Sequence, residues 1–234
     1  MKLIISSLLL GMALSANAQN NYNGKPMPSF THSFGGSYQQ FKGLNGRVAN
    51  NAQFEQLKDY TATLGLGWQK EHKRVISAGG ITLGSSLSRD RDEKSSTIRY
   101  GAIYMDLGYD VIKNENIMLY PLAGLGFQHY QAIFLKDNRA VLFNDVLRND
   151  ESKNSISSVR FNNSFLVYRA GLGFSFKSAK HPGCSIWLQG GFTGSFKNNA
   201  WKSNENQVLG NAPVDKINQA FAGITFITTP KFMK

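Results

Sequence analysis

The stretch Tyr168-Arg-Ala-Gly-Leu-Gly-Phe-Ser-Phe176 decides the fold. Its larger and apolar residues fall at alternate positions, and glycine, serine and one arginine occupy the positions between them. Such alternation is typical of a β-strand with one apolar face and one polar or small face. Similar stretches recur along the chain, so the sequence predicts an all-β protein.

Outward from this stretch, the same alternation predicts eight strands separated by turn-forming or charged residues. The predicted strands are Phe30–Phe41, Tyr60–Lys70, Val75–Leu87, Thr97–Val111, Ile117–Phe134, Val159–Phe176, Cys184–Phe196 and Ile217–Thr228. The facing of the first and last strands is ambiguous, because their large residues do not keep to one parity. Ten strands remain an alternative, if Ala140–Leu147 and Ser155–Asn163 form an added hairpin.

The N-terminus has the features of a cleaved secretory signal. Lys2 precedes the apolar run Leu3–Ala13, and Ala16-Asn17-Ala18 forms a small-residue cleavage site. We therefore predict export by the Sec route. The predicted organisation is a signal peptide (1–18), a flexible lead-in (19–29), a β-barrel domain (30–228) and a polar basic tail (229–234). No later apolar run reaches the roughly 18 residues that a membrane-spanning helix needs.

The composition limits the classes of partner and the means of stabilisation. A formal net charge of +11 suits polyanions, but the basic residues are interleaved with acids, and no nucleic-acid recognition motif is present. With export, the expected partners are outer-membrane lipid and lipopolysaccharide, with a partner protein or glycan at the loops and no nucleic acid. Cys184 is the only cysteine, so a core or a membrane must hold the chain together without disulfides.

The predicted connections alternate between long and short along the chain. With both termini in the periplasm, the short ones are periplasmic turns and the long ones extracellular loops. On this alternation, and on the Gly-x-Gly interiors of its strands, the chain resembles the small outer-membrane β-barrel domain families of Gram-negative bacteria from residue 30 to 228. The resemblance implies a closed, antiparallel, up-and-down transmembrane β-barrel in the outer membrane. Such chains often end on an aromatic residue, whereas here Met233 and Lys234 follow Phe232.

Charged residues within strands predict which face is inside. We expect Arg99, Asp106, Asp110 and Arg169 to face the lumen, because an arginine facing lipid near the midplane costs about 2–4 kcal/mol. The apolar face then contacts lipid. Four aromatic residues near strand ends are expected to form interfacial girdles: Tyr60, Trp68, Tyr120 and Tyr168. The alternative is a soluble periplasmic barrel with its apolar face inward, binding an apolar ligand.

The predicted strand number limits transport through the barrel. The interior of an eight-stranded barrel is just wide enough for side chains to fill. Tyr104, Arg169 and Trp187 are the large residues expected to fill it. The sequence therefore predicts a structural or interaction protein that acts through its loops rather than a general porin. Ala140–Leu147 is the loop segment apolar enough to dock a partner or to fold back on the barrel.

Candidate chemistry is limited to one histidine. His129 lies toward the extracellular end of the fifth predicted strand, where some barrel enzymes that modify lipid A keep a histidine with a serine and an acid. A lipid A-modifying enzyme using His129 is therefore an alternative function, and whether the protein is an enzyme stays open. Asp90, Asp92 and Glu93 are interleaved with basic residues, which favours a solvated loop over a calcium site. No metal or cofactor site is predicted.

Overall fold

A computed structural model of the protein describes residues 28–228 apart from 87–92, 113, 115, 149 and 178–183. The predicted signal peptide (1–18), most of the lead-in (19–27) and the basic tail (229–234) lie outside the described residues. Asp90 and Asp92 also lie outside them.

Eight long antiparallel strands form a closed barrel. They are β1 (Ser29–Tyr38), β2 (Tyr60–His72), β3 (Val75–Ser85), β4 (Ser95–Tyr109), β5 (Ile117–Leu135), β6 (Val159–Lys177), β7 (Cys184–Ser195) and β11 (Asn218–Thr228). Three two-residue strands lie between β7 and β11: β8 (Asn199–Ala200), β9 (Lys202–Ser203) and β10 (Val214–Asp215). The predicted eight-stranded antiparallel barrel is confirmed.

Pairing between the first and last strands closes the barrel. Phe34 of β1 pairs with Leu64 of β2 on one side and with Ile224 of β11 on the other. The remaining long strands pair with their sequence neighbours, and β7 pairs with β11. Closure removes the unpaired strand edges that would otherwise attract other chains.

The outer surface of the barrel is apolar. Large hydrophobic side chains exposed at alternate strand positions include Phe30, Phe34, Leu64, Leu66, Leu83, Met105, Leu107, Leu125, Leu166, Leu172, Ile224 and Phe226. A continuous belt of this kind is stable against lipid and is too extensive for a soluble surface. The alternative of a soluble barrel with its apolar face inward is therefore wrong. The belt also fixes the facing of β1 and β11, because Phe34, Ile224 and Phe226 point outward.

Two predicted facings are wrong. Arg99 is exposed on the outer face, because it has the same parity in β4 as the outward Ile103 and Met105. It lies near the loop end of the strand, opposite Ser85 at the end of β3, where its long side chain can reach water. Tyr120 is not in a girdle but is buried in the lumen, with 1% of its surface exposed. Its facing follows the even-numbered, inward parity of β5.

Three short helices lie in the long loops, where the sequence predicts none. They are α1 (Lys42–Ala49), α2 (Phe143–Arg148) and α3 (Asp150–Ile156). Because α2 and α3 occupy the segment proposed for an added hairpin, the ten-stranded alternative is wrong. Within the described residues, no helix combines the length and apolarity needed to cross a bilayer.

Candidate functional site

The lumen is filled at the end with the short turns. Trp187, Tyr120 and Met118 are almost fully buried there, together with Ile76 and Ile227. The ring centroids of Tyr120 and Trp187 lie 5.0 Å apart, and Gln189 donates a hydrogen bond to the Tyr120 hydroxyl at 2.8 Å. These side chains fill the lumen at the periplasmic end.

A buried ion pair crosses the middle of the lumen. Arg169 Nε lies 3.1 Å from Asp106 Oδ1, close enough for an ion pair although the two atoms are not aligned for a hydrogen bond. The guanidinium carbon lies 4.4 Å from the Tyr104 ring centroid and 4.7 Å from that of Phe221. Gly124 makes room, because a Cβ at that position would collide with the Asp106 carboxylate.

The other predicted lumen acid has a different environment. Asp110 is buried beyond the end of β4, where its backbone N–H donates to the Arg74 carbonyl at 2.8 Å. Its Oδ1 accepts a hydrogen bond from the Ile112 backbone N–H at 3.1 Å. Asp110 therefore shapes the β4–β5 turn and is not part of the central ion pair.

Above the ion pair, hydrogen bonds link opposite walls of the barrel. The Tyr130 hydroxyl donates to Gln128 Oε1 at 3.0 Å, and Gln128 Nε2 donates to Gln219 Oε1 at 3.0 Å. Gln219 Nε2 then donates to Ser37 Oγ at 2.9 Å, and the Ser37 and Thr61 hydroxyls are 2.6 Å apart. The chain runs from β5 through β11 and β1 to β2. It closes the lumen at a second level.

A lid closes the extracellular mouth. It is built from loop 1 (residues 39–59) and loop 4 (residues 196–217). Phe41, Leu44 and Val48 of loop 1 are buried against the barrel core, and Trp201 of loop 4 is fully buried beside them. Both loops are rich in polar residues. The four-residue spacing of Leu44 and Val48 is the available signal for a helix with one buried face.

One carboxylate joins the two halves of the lid. Asp215 Oδ1 accepts a hydrogen bond from the Gly43 backbone N–H at 2.7 Å, and Oδ2 accepts one from the Leu44 N–H at 2.9 Å. Trp201 Nε1 also donates to Oδ2, at 2.7 Å. Asp215 is 5% exposed, and these donors compensate its burial. The mouth therefore has a fixed cover.

Loop 3 (residues 136–158) carries an apolar patch outside the barrel. We define the patch as Leu142, Phe143 and Leu147, which are 66%, 76% and 65% exposed. Phe143 is the most exposed large hydrophobic side chain among the described residues, lipid-facing ones included. Phe143 and Leu147 share one face of α2, because residues four apart in a helix lie above one another.

An arginine anchors the start of loop 3. Arg139 Nη2 lies 2.7 Å from Asp137 Oδ2, and Nη1 lies 2.8 Å from Glu93 Oε1 in the neighbouring loop. The hydrogen bonds that Arg139 donates hold the pKa of Asp137 below its ordinary value. The patch thus extends from a loop base that is held by charged contacts, although exposed pairs of this kind add little stability.

His129 lies on the outer face of the barrel, not in the lumen. Its Nδ1 is 2.8 Å from Ser164 Oγ on the neighbouring strand β6, and the two residues pair in register. An apolar band spans about 9–11 residues of a tilted strand. Counted from Ile117 at the periplasmic end of β5, eleven residues end at Phe127. Phe127 is the outward-facing residue that precedes His129 on the strand. No sequence pattern points to Ser164, because only the strand register brings it to His129.

The described residues contain no cluster of histidine, cysteine, aspartate and glutamate suited to hold a metal ion. Glu93, the described member of the predicted acidic loop cluster, contacts Arg139 instead.

Comparisons with known proteins find the fold but no family. No protein-family model matches the sequence, and no curated protein matches it significantly. Neisserial surface protein A aligns with 88% of this chain and 99% of its own, with a TM-score of 0.53 and 10% identity. Ail, the attachment invasion locus protein of Yersinia pestis, aligns with 86% of this chain and 97% of its own, with a TM-score of 0.46 and 16% identity. A major outer membrane protein from Thermus thermophilus has a TM-score of 0.46 and 9% identity over 86% of this chain and 98% of its own.

At 10% identity, the likeness to Neisserial surface protein A establishes the fold alone. The continuous apolar belt and the closed ladder supply the rest of the argument, since both are what a bilayer requires of a spanning sheet. The protein is a transmembrane β-barrel of the outer-membrane class, and its place is the outer membrane.

Proposed function

We propose that the protein is a surface-contact barrel that binds a partner protein through the apolar patch of loop 3. The single observation that carries the proposal is the exposure of Phe143, at 76%, in a loop that lipid does not cover. Exposed apolar groups of this kind cost free energy unless a partner buries them. The filled lumen supports the proposal, because it leaves the loops as the means of contact with other molecules.

The patch has the composition of an interface centre. Interfaces are rich in aromatic and large apolar residues at their core and polar at their rim. Leu142, Phe143 and Leu147 form such a core, and Asp145 and Arg148 on the same short helix provide charged rim groups. A partner with an apolar, shallow surface fits this arrangement better than a glycan, which needs a denser set of hydrogen-bonding groups.

Site-specific crosslinking in intact cells tests the proposal. A photoreactive phenylalanine analogue at position 143 should give a discrete crosslinked product, and Leu142→Ser/Leu147→Ser should weaken it several-fold. Deleting Lys136–Ser157 also removes position 143, so its readout is co-purification of the crosslinked partner, which should be lost while the barrel stays folded.

Val208 in loop 4 supplies the matched control, because it is 73% exposed but lies outside the patch. The same analogue at position 208 should give no such product. Absence of a product at 143, or the same product at both positions, would contradict the proposal.

A second candidate function is supported by the contact between His129 and Ser164. A histidine within hydrogen-bonding distance of a serine hydroxyl can act as the base that activates it. The pair lies at the outer edge of the apolar band, where the acyl ester bonds of outer-leaflet lipids are found. We propose acyl-ester hydrolysis of lipid A as the alternative to the partner-binding role.

In that reaction Ser164 Oγ would attack the ester carbonyl while the His129 ring takes the hydroxyl proton. The proton would pass to the departing alkoxide, and water would then hydrolyse the acyl-serine to release a fatty acid. No carboxylate in the described part of the chain contacts the His129 ring, so the pair would act without an orienting acid.

Mass spectrometry of lipid A decides this alternative. Cells with the wild-type protein should contain lipid A that lacks one acyl chain, and His129→Ala and Ser164→Ala should each restore that chain. His32, which is also exposed on the outer face, supplies the control substitution His32→Ala. Identical spectra from wild-type and both variants would reject the hydrolase role and leave the partner-binding proposal unaffected.

A further inference from the structure

The outer face of the barrel contains a groove on the side opposite loop 3. It has a volume of about 1200 Å³ and is open to its surroundings. Loop 1 lines its upper end, and the outward faces of β2, β1 and β11 form its floor. The β1–β2 pair lies three strands from β5 in one direction and from β6 in the other. The groove therefore shares no strand with the His129–Ser164 pair.

The floor of the groove is apolar and is formed by small residues. Gly36, Ala62 and Ala222 lie side by side across three strands, since Gly36 pairs with both alanines. Larger outward side chains lie below them, with Phe34 of β1 pairing with Leu64 of β2. A Cβ at Gly36 would meet only the Thr61 carbonyl oxygen, at 3.5 Å. The small residues therefore leave an unfilled depression on the lipid-facing surface.

The depression continues toward the periplasmic side. A second furrow of about 700 Å³ shares Gly35 and Ala222 with the groove and runs past Leu172, Leu188 and Ile224. All three leucine and isoleucine side chains face lipid. The two furrows adjoin at Gly35 and Ala222, so together they provide an apolar path that descends from loop 1 along the barrel wall.

The upper end of the path is polar and cationic. Lys42 and Lys58 of loop 1 line it together with the aromatic pair Tyr38 and Tyr60, whose ring centroids are 4.9 Å apart. Neither lysine forms an ion pair with a carboxylate in the residues that the structure describes. Asp59 is the one acid of the rim, and it accepts a hydrogen bond from Gln40 at 3.1 Å.

We infer that this groove binds a phosphorylated glycolipid of the outer leaflet, such as lipid A. The acyl chain lies on the apolar path, and a phosphate lies beside Lys42 and Lys58. The polarity along the groove selects an amphiphile with its anionic head at the extracellular end. The inference goes beyond the partner-binding role of loop 3 and does not depend on it.

Native mass spectrometry of the folded protein in detergent micelles tests the inference, with purified lipid A as the probe. The wild-type protein should retain one lipid A in a saturable manner. Ala62→Leu/Ala222→Leu fills the floor and should weaken binding at least about tenfold. Lys42→Gln/Lys58→Gln removes the cationic rim and should weaken binding to a similar extent, with less dependence on salt.

Ala123→Leu is the matched control, because Ala123 is an exposed alanine on β5, outside the groove. It should bind lipid A as the wild-type protein does, and all variants should keep the mobility shift on boiling that shows a folded barrel. Unchanged binding by the filled variant would overturn the inference. Equal binding of phosphatidylglycerol would also overturn it, because the groove would then hold any lipid of the surrounding annulus. A dimer that the Ala62→Leu/Ala222→Leu variant dissociates, without loss of lipid A, would overturn it as well.

Discussion

At the scale of single residues, Asp215 joins the two loops of the lid. Its carboxylate accepts hydrogen bonds from two backbone N–H groups and one indole. Asp215→Asn replaces one acceptor oxygen with a donor, so at least one buried donor loses its partner, at a cost of about 1–3 kcal/mol. We expect Trp201 to become solvent-exposed, seen as a red shift in its fluorescence, while the barrel stays folded. Glu205→Gln, an exposed change in the same loop, should leave the spectrum unchanged.

The ion pair in the lumen leads to a second prediction. Asp106→Asn leaves the Arg169 guanidinium buried without its counter-charge, which costs about 3–5 kcal/mol in comparable sites. The free energy of unfolding in lipid vesicles, from urea titration, should fall accordingly. The double variant Asp106→Asn/Arg169→Met should recover most of the loss, because the buried charge is then absent. A double variant as unstable as the single one would contradict this account.

The register between strands and the alternation within a strand determine which side chains meet, and the sequence alone gives only the alternation. Strand parity places Asp106 and Arg169 on the same face, but only the fold brings their side chains to 3.1 Å. The inward prediction for Arg99 follows from the general cost of charge in lipid, although its parity with Ile103 points outward. Near the end of a strand that cost falls to about 0–1 kcal/mol, so the alternation of the strand decides which face Arg99 occupies.

At the scale of elements, α1 holds the lid closed by its apolar face. Leu44 is 3% exposed, and Leu44→Asp would place a charge in the core cluster beneath the lid. We expect loop 1 to become sensitive to proteases, because the helix can no longer dock. Gly46→Asp is the control on the same helix, since a Cβ there meets nothing within 4 Å. Equal protease resistance in both variants would show that α1 does not depend on this packing.

The strands were predictable from sequence and the helices were not. A strand that separates lipid from a lumen must alternate strictly, so its pattern persists over ten or more residues. The helices α1, α2 and α3 have six to eight residues each, too short to be stable without tertiary contacts. For α1 those contacts include Asp215, which is distant in sequence.

At the scale of the whole molecule, we expect the filled lumen to exclude ions. The Trp187 cluster, the Asp106–Arg169 pair and the hydrogen-bond chain from Tyr130 fill successive levels of the lumen. We expect no stepwise conductance when the purified protein is inserted into planar bilayers. Removing residues 40–58 should not change this, because the lower levels remain filled. Steady channels from the truncated protein would show that the lid alone closes the pore.

The lid also has a consequence for the order of assembly. The β1–β11 seam joins segments almost two hundred residues apart, so it forms late relative to the local hairpins. The N-terminus of α1 finds its acceptor only when Asp215, next to β11, has arrived at that seam. Burial of Trp201 is therefore a sign that the last strand has joined the first. During insertion into the membrane, the fluorescence of this indole would report completed barrels and distinguish them from open, partly paired sheets.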